Sequence, residues 1–185
     1  RAADAQVTFC QDPDADRLAI IDENGHYIGE EATLALCVQH ILGSPKTARD
    51  LGDDIRGRAI VTNCSTSRMT EDIANRFGVP FQRSAVGEAN VVDTMRVHNA
   101  ILGGEGNGGV IDPRVGWVRD SFVGMAWVLD SMAATGQPIS QLAAALPHYA
   151  IYKSKVTLER DATDRAFMAL DAHFQKDTTT SRLDG

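Results

Sequence analysis

Asp12-Pro13-Asp14-Ala15-Asp16-Arg17 lies between two short apolar runs, Val7-Thr8-Phe9-Cys10 and Leu18-Ala19-Ile20-Ile21. Both runs have the length and composition of buried strands, so the spacing predicts an acidic loop between two strands. Two carboxylates about 6 Å apart repel by roughly 0.7 kcal/mol in bulk water and several-fold more at protein-like dielectric. Three of them on one short loop call for a counter-charge, which a hard divalent cation with oxygen ligands supplies. Arg17 adds a planar donor fork suited to a phosphate beside such a cation. Three rivals stand beside this reading. The first is a solvated turn in which Asp and Pro serve turn chemistry. The second is an EF-hand with Glu23 at its twelfth position, which fails where Arg17 replaces the turn glycine and where no helix follows. The third is an aspartyl phosphotransferase loop with Asp12 as nucleophile and Asp14 as acid/base, which leaves Asp16 and Arg17 without a role.

Outward from this loop, Asp22-Glu23-Asn24-Gly25 is a hairpin signal. Helical patterns cover Glu30 to Leu42, the Met69-Ile73-Phe77 spacing, and Val91 to Ala100. Asp120 is an N-cap signal for a helix to about Thr135 with Phe122, Ala126, Leu129 and Ala133 on its apolar face. Ser140 to Leu146 reads as a short helix ended by Pro147. Thr163 to Phe174 reads as a last helix with Phe167, Leu170 and Phe174 as core. Strand patterns cover Ala59 to Thr62 and Val79 to Val86. Residues 44–57 read as a polar connection in which Asp53 and Asp54 are solvated. This alternation predicts an α/β fold: a three-layer α/β/α domain with a mixed β-sheet over 29–147, flanked by fragments of neighbouring domains at 1–28 and 148–185.

Gly103-Gly104-Glu105-Gly106-Asn107-Gly108-Gly109 is the second informative stretch. Gly104, Gly106 and Gly109 match a dinucleotide fingerprint, but Val110-Ile111-Asp112-Pro113 is extended where that motif needs a helix. The glycines instead suit a loop whose backbone approaches a polar ligand closely. Glu105 and Asn107 would then project toward it, a carboxylate and an amide able to hold vicinal sugar hydroxyls. A plain turn is the competing reading.

The 185 residues suffice for one good-sized domain with fragments of others, and 43% hydrophobic content supplies a sizeable core. A net charge of -7 and a pI near 5.1 argue against a general nucleic-acid or anionic-membrane partner. Cys10, Cys37 and Cys64 are odd in number and widely spaced, the pattern of reduced thiols in a cytoplasmic protein. No apolar run reaches the roughly 18 residues of a membrane span. Arg1 at the start and the turn-like Leu183-Asp184-Gly185 at the end read as the edges of a piece of a longer protein.

Taken together the motifs resemble the α-D-phosphohexomutase superfamily, and within it the phosphoglucosamine mutase-like branch. Asp12 to Arg17 resembles the magnesium loop of that family, and Gly104-Glu105-Gly106-Asn107-Gly108-Gly109 resembles its sugar-binding loop. Ser84-Ala85-Val86-Gly87-Glu88-Ala89-Asn90-Val91 resembles its specificity segment. The resemblance implies the end of a second domain, a whole third domain and the start of a fourth. It implies Mg2+ on Asp12, Asp14 and Asp16, and a phosphate-facing catalytic Arg17. It also implies sugar contacts from Glu88, Gly104, Glu105, Gly106, Asn107 and Gly108. The implied reaction is reversible phosphoryl transfer on a hexose phosphate, through a phosphoserine and a bisphosphate, with the remaining domains of the same parent chain as partners. The serine nucleophile motif of the family is absent here. So is the phosphate loop of its fourth domain, and Gly109 stands where the family often has histidine. The resemblance therefore implies a piece inactive alone. An aspartate-nucleophile phosphatase and a non-catalytic α/β module with a structural cation are the alternatives.

Overall fold

A computed structural model describes residues 4–45, 55–150, 155–159, 162–175 and 183–184. Strands β1 (Thr8–Gln11) and β2 (Leu18–Ile21) pair antiparallel, from Thr8 opposite Ile21 to Gln11 opposite Leu18, which puts the acidic loop at a hairpin tip. β2 anchors the hairpin, with Leu18 and Ile20 fully buried and Ala19 and Ile21 half-buried, whereas β1 is not the buried strand expected of its run: Phe9 packs half-buried on the same core and Thr8, Cys10 and Gln11 are exposed. The Asp22–Gly25 turn returns the chain to a bridge between Ile21 and Tyr27. Asp22 stabilises that turn by accepting the N–H groups of Asn24 (2.9 Å) and His26 (2.8 Å).

Helix α1 (Glu30–Gly43) is buried on almost every side, which its near-continuous apolar sequence requires. Then come a short 3-10 turn (Ile55–Gly57), β3 (Ile60–Asn63), α2 (Met69–Arg76), β4 (Phe81–Ser84), α3 (Glu88–Val97), β5 (Leu102–Glu105) and β6 (Gly109–Ile111). The sheet order is β4-β3-β5-β6, with β3 parallel to β4 and β5, and β6 antiparallel to β5. Side-chain alternation divides the core between the two faces. Ile60, Leu102 and Val110 join Leu34, Val38 and Ile73 on one side. Val61 and Ile111 join Val91, Val92 and Met95 on the other. The architecture is therefore α/β/α around a mixed sheet, as the alternating pattern predicts. Residues 46–54, with Asp53 and Asp54, lie outside the described residues.

Helix α4 (Ser121–Thr135) begins and ends as its sequence predicts. Asp120 accepts the N–H groups of Phe122 (2.8 Å) and Val123 (3.3 Å), and Gly136 closes the helix in a left-handed conformation at φ 66°. Its buried face is not the expected one. Phe122 and Leu129 are 65% and 47% exposed, and Ala126 and Ala133 are also exposed. The helix instead turns Val123, Gly124, Val128 and Ser131 inward. The reason is close approach: the Leu18 side chain comes within 3.1 Å of where a Cβ on Gly124 would lie. Small residues carry this contact, so a search for the bulkiest apolar stripe selects the wrong side.

Helix α5 (Ile139–Ala144) starts after Pro138, one residue ahead of the expected Ser140. Glu23 accepts both the backbone N–H (3.2 Å) and the hydroxyl of Ser140. This employs Glu23 as a helix-start acceptor, away from the EF-hand role considered for it. Helix α6 (Thr163–Phe174) forms where predicted but buries none of its residues, so Phe167, Leu170 and Phe174 are not core positions. Periodicity identifies an apolar stripe without saying what covers it. The chain divides into two compact units, Arg1–Tyr149 and Ala150–Gly185. The expected boundary near residue 28 falls between the β1–β2 hairpin and α1, which share one core cluster. No helix among the described residues is long and apolar enough to cross a membrane.

One buried carboxylate ties the strand-to-helix connection together. Asp112 accepts from Arg114 Nη2 (2.6 Å), Arg114 Nε (2.9 Å) and Trp127 Nε1 (3.0 Å) while being 2% exposed. Burial pushes its pKa upward, but the Arg114 and Trp127 hydrogen bonds outweigh it and hold the group below its ordinary value. Asp112→Asn should cost about 2–3 kcal/mol at pH 7, because an amide sets donors against donors. A depressed folded value means that this contribution is present above the unfolded carboxyl range near 4 and vanishes as pH falls through the folded value. Across urea melts of both proteins from pH 7 to 3 the gap should therefore narrow once the pH falls below the unfolded carboxyl range near 4. A gap that stays constant would contradict the ionic account.

Candidate functional site

The parallel strands β3, β4 and β5 end side by side at Asn63, Ser84 and Glu105, the edge at which open α/β sheets place ligand sites. The glycine cluster forms the tight turn between β5 and antiparallel β6: Gly104 and Glu105 close β5, Gly106, Asn107 and Gly108 make the turn, and Gly109 opens β6. No helix follows Gly109, which removes the dinucleotide reading. Glu105 is 5% exposed. Its Oε1 accepts from Asn63 Nδ2 (2.9 Å), and its Oε2 accepts from Asn107 Nδ2 (3.0 Å) and Arg119 Nη1 (2.6 Å). Asn107 Oδ1 in turn accepts the N–H of Gly109 (3.2 Å). Behind the turn, Thr66 donates to Asn63 Oδ1 (2.7 Å) and accepts the Gly106 N–H (2.9 Å).

The acidic loop meets this turn. A Cβ on Gly108 would lie 2.3 Å from the carbonyl oxygen of Leu18, the first residue of β2 after the acidic loop, so the turn touches the exit of that loop backbone to backbone. The acidic loop is also fastened to the start of α4: Ala15 O accepts the N–H of Ser121 (3.2 Å) and its hydroxyl (2.6 Å). Asp12 Oδ1 accepts the N–H groups of Asp16 (3.2 Å) and Arg17 (3.3 Å). Burial raises the Asp12 pKa, but those N–H groups and the Arg17 charge carry it below the ordinary carboxylate value. Asp16 goes the other way. Burial raises it, Arg119 opposes, and the adjoining Asp12 carboxylate adds to the rise. Asp14 is exposed, and Arg17, 55% exposed, sits 3.5 Å from Asp12 and 3.7 Å from Asp16. Exposed pairs of that length contribute little to stability, which leaves the Arg17 fork free for a ligand.

A divalent cation fits the donor chemistry of this loop. All candidate donors are carboxylate oxygens, Asp12 and Asp16 adjoin, and Asp16 Oδ1 is buried without a hydrogen-bond partner. The three aspartates are not drawn into a ready-made ligand set, since among the described residues no group of three or more His, Cys, Asp or Glu is arranged to hold a metal ion.

The residue that joins the two loops is one the sequence reading missed. Arg119, between β6 and α4, is 14% exposed at its side chain. Its Nη2 bonds Asp16 Oδ2 (2.5 Å), its Nη1 bonds Glu105 Oε2, and its Nε bonds Glu88 Oε2 (2.9 Å). Burial works against its charge, yet the Glu88 hydrogen bond and the charges of Glu105, Asp16 and Glu88 hold its pKa above the ordinary arginine value. Its partners lie 103, 14 and 31 residues away in sequence, so no local spacing announces it. Asn63 and Thr66 were missed for the same reason. Of the three cysteines, all free, Cys37 is buried, and burial together with the Asp112 charge pushes its thiol up to about 12, an inert value.

Comparison with known proteins meets this geometry from outside. Residues 30–149 match the family described as Phosphoglucomutase/phosphomannomutase, alpha/beta/alpha domain III. A Phosphoglucomutase/phosphomannomutase of Thermococcus kodakarensis is 36% identical over 161 residues, covering 87% of this chain and 33% of that protein. A Phosphoglucosamine mutase of Nitratidesulfovibrio vulgaris is 30% identical over 160 residues, covering 86% and 34%. The chain thus spans about a third of the length of these relatives. The crystal structure of an Aspergillus fumigatus N-acetylphosphoglucosamine mutase, solved in complex with GlcNAc-6P and magnesium, shares the fold at a TM-score of 0.60 and 16% identity, over 80% of this chain and 34% of that one.

Proposed function

Because the chain belongs to the phosphoglucomutase/phosphomannomutase family, we propose that it is the central part of a Mg2+-dependent phosphohexomutase. The substrate class is a hexose 1-phosphate or 6-phosphate of glucosamine, glucose or mannose. The observation that carries this reading is the Arg119 bridge, which brings the acidic loop (Asp16) and the glycine loop (Glu105) to one edge of the sheet. In this reading residues 1–28 close the second domain, 29–147 form the third and 148–185 lead into a fourth.

Asp12, Asp14 and Asp16 would hold Mg2+, which when bound neutralises a transferring phosphoryl group. Arg17 offers its exposed fork to a phosphate oxygen beside that loop. Gly104, Gly106 and Gly108 lack side chains because Gly109 and Leu34, Glu31 and Leu18 respectively pass close to them, which shapes a turn whose half-buried Asn107, held by the buried Glu105 carboxylate, is the amide that would meet the sugar hydroxyls. Glu88, at the start of α3, shares the Arg119 guanidinium with Glu105 and bears on sugar choice. The phosphoryl group itself is exchanged with a phosphoserine supplied from outside these residues, through a sugar bisphosphate.

The test is calorimetric. Mg2+ or Mn2+ should bind the 185-residue chain weakly, and Asp14→Asn should weaken binding by ~10-fold or more, as loss of a charged oxygen ligand does. Asp14 is exposed, so its replacement leaves the core alone. Equal binding by both proteins would remove the acidic loop from the metal site.

A further inference from the structure

The proposal above, on which this inference rests, uses the Arg119 bridge to bring two loops together and gives the arginine itself no part in turnover. We propose that Arg119 is a positioning residue: seated on Gly109, its guanidinium sets the mutual geometry of the sugar-binding turn, the acidic loop and the start of α3. Three observations carry this. Its three nitrogens reach carboxylates from three separate segments, Asp16, Glu88 and Glu105, at 2.5, 2.9 and 2.6 Å. One planar fork is shaped to fix three carboxylates at once, where an ammonium is a single point charge. Its backbone N–H also donates to Glu88 Oε2 (3.2 Å), so the pairing with α3 is held from both ends of the residue.

The third observation concerns the seat. A Cβ on Gly109 would lie 2.4 Å from Arg119 Cδ and 3.0 Å from its Cγ. A side chain at 109 and Arg119 in its present place are mutually exclusive. The absence of a side chain at that position has a specific purpose here, namely the path of the arginine stem beneath the turn. Arg119 does not need to touch the sugar. It holds Glu105, which with Asn107 frames the turn, and it holds Asp16 by one oxygen, leaving the other, Oδ1, without a hydrogen bond and 3.7 Å from Arg17 Nε. Moving Asp16 therefore moves the same guanidinium that holds Glu105.

Two perturbations of different kind, one of the arginine and one of its seat, test this in the complete protein. Arg119→Met should lower kcat/KM for the hexose phosphate by about 10- to 100-fold, the usual loss when a residue that orients functional groups is removed. Gly109→Ala should act in the same direction by displacing the stem, and Arg119→Lys should recover part of the loss. The double variant should be no worse than Arg119→Met alone, because the seat has no further use once the arginine is gone. Amide hydrogen exchange on the 185-residue chain gives a readout independent of turnover. Residues 12–17 and 104–109 should exchange faster together in Arg119→Met and in Gly109→Ala, while α1 keeps its protection. If Arg119→Met does not fold, Gly109→Ala and Arg119→Lys carry the same comparison. Unchanged exchange in either loop, or losses from Gly109→Ala and Arg119→Met that multiply, would overturn the proposal. Coordinated loop exchange in a protein that isomerises no hexose phosphate would instead overturn the mutase reading and leave the role of Arg119 standing.

Discussion

Glu105→Gln should lower the stability of the α/β unit by about 2–4 kcal/mol, seen as a fall of roughly 5–15 °C in Tm. The carboxylate is buried and receives three donors, one from Asn63 and two, from Asn107 and Arg119, on its other oxygen. Glutamine has the same shape but one acceptor and one NH2. If the NH2 faces Arg119, two like donors meet. If it faces Asn63, that amide would have to flip, and its Oδ1 is already accepting from Ser65 (3.0 Å) and Thr66 (2.7 Å). Either orientation leaves a buried donor unpaired. The cost stays below the full price of a broken buried pair because Arg119 retains Asp16 and Glu88. Glu88→Gln is the control: its side chain is 34% exposed, so the same chemical change should cost about 1 kcal/mol or less. Equal melting temperatures for both variants would mean that Glu105 is not the buried hub of the turn.

Gly108→Ala should destabilise by a comparable amount, about 2–4 kcal/mol, and for a different reason. Gly108 has φ +87°, and its Cβ would meet the Leu18 carbonyl oxygen at 2.3 Å and the Leu18 N and C at 3.0 Å. Backbone atoms cannot rotate aside as a flexible side chain can. Gly25 has nearly the same φ, +83°, with nothing within 4 Å of its Cβ position. Gly25→Ala therefore isolates the conformational part, about 1 kcal/mol. The excess at Gly108 measures how tightly the glycine turn presses on β2. Equal losses at the two positions in denaturant melts would show that the turn can lift away from the acidic loop at little cost.

Much of this fold is written locally in the chain. The Asp120 cap and Gly136 stop delimit α4 to the residue, and the apolar runs around Asp12–Arg17 are strands because loop chemistry separates them. What the sequence does not write is which surfaces meet. The inward face of α4 is its small-residue side, chosen by the approach of Leu18, and the apolar stripe of α6 covers no core. The same division runs through the site. Both loops are visible as motifs, since each concentrates one residue type over a few positions. Arg119 and Asn63 are single polar residues whose meaning comes from partners across the sheet edge, and the side chains that pass the glycines, Met95 at Gly103, Glu31 at Gly106 and Arg119 at Gly109, come from outside the glycine stretch.

The most direct test of the account follows the sugar phosphate itself. The complete protein would be incubated with Mg2+ and glucosamine 1-phosphate, glucose 1-phosphate or mannose 1-phosphate, with a trace of the matching bisphosphate, and compared with Asp12→Asn and Asp16→Asn. The account predicts conversion to the 6-phosphate for at least one of the three sugars, with a severe loss in both variants and no net release of inorganic phosphate. Phosphate release that requires Asp12, tolerates Asp16→Asn and proceeds without isomerisation would contradict it and make the acidic loop a phosphatase nucleophile.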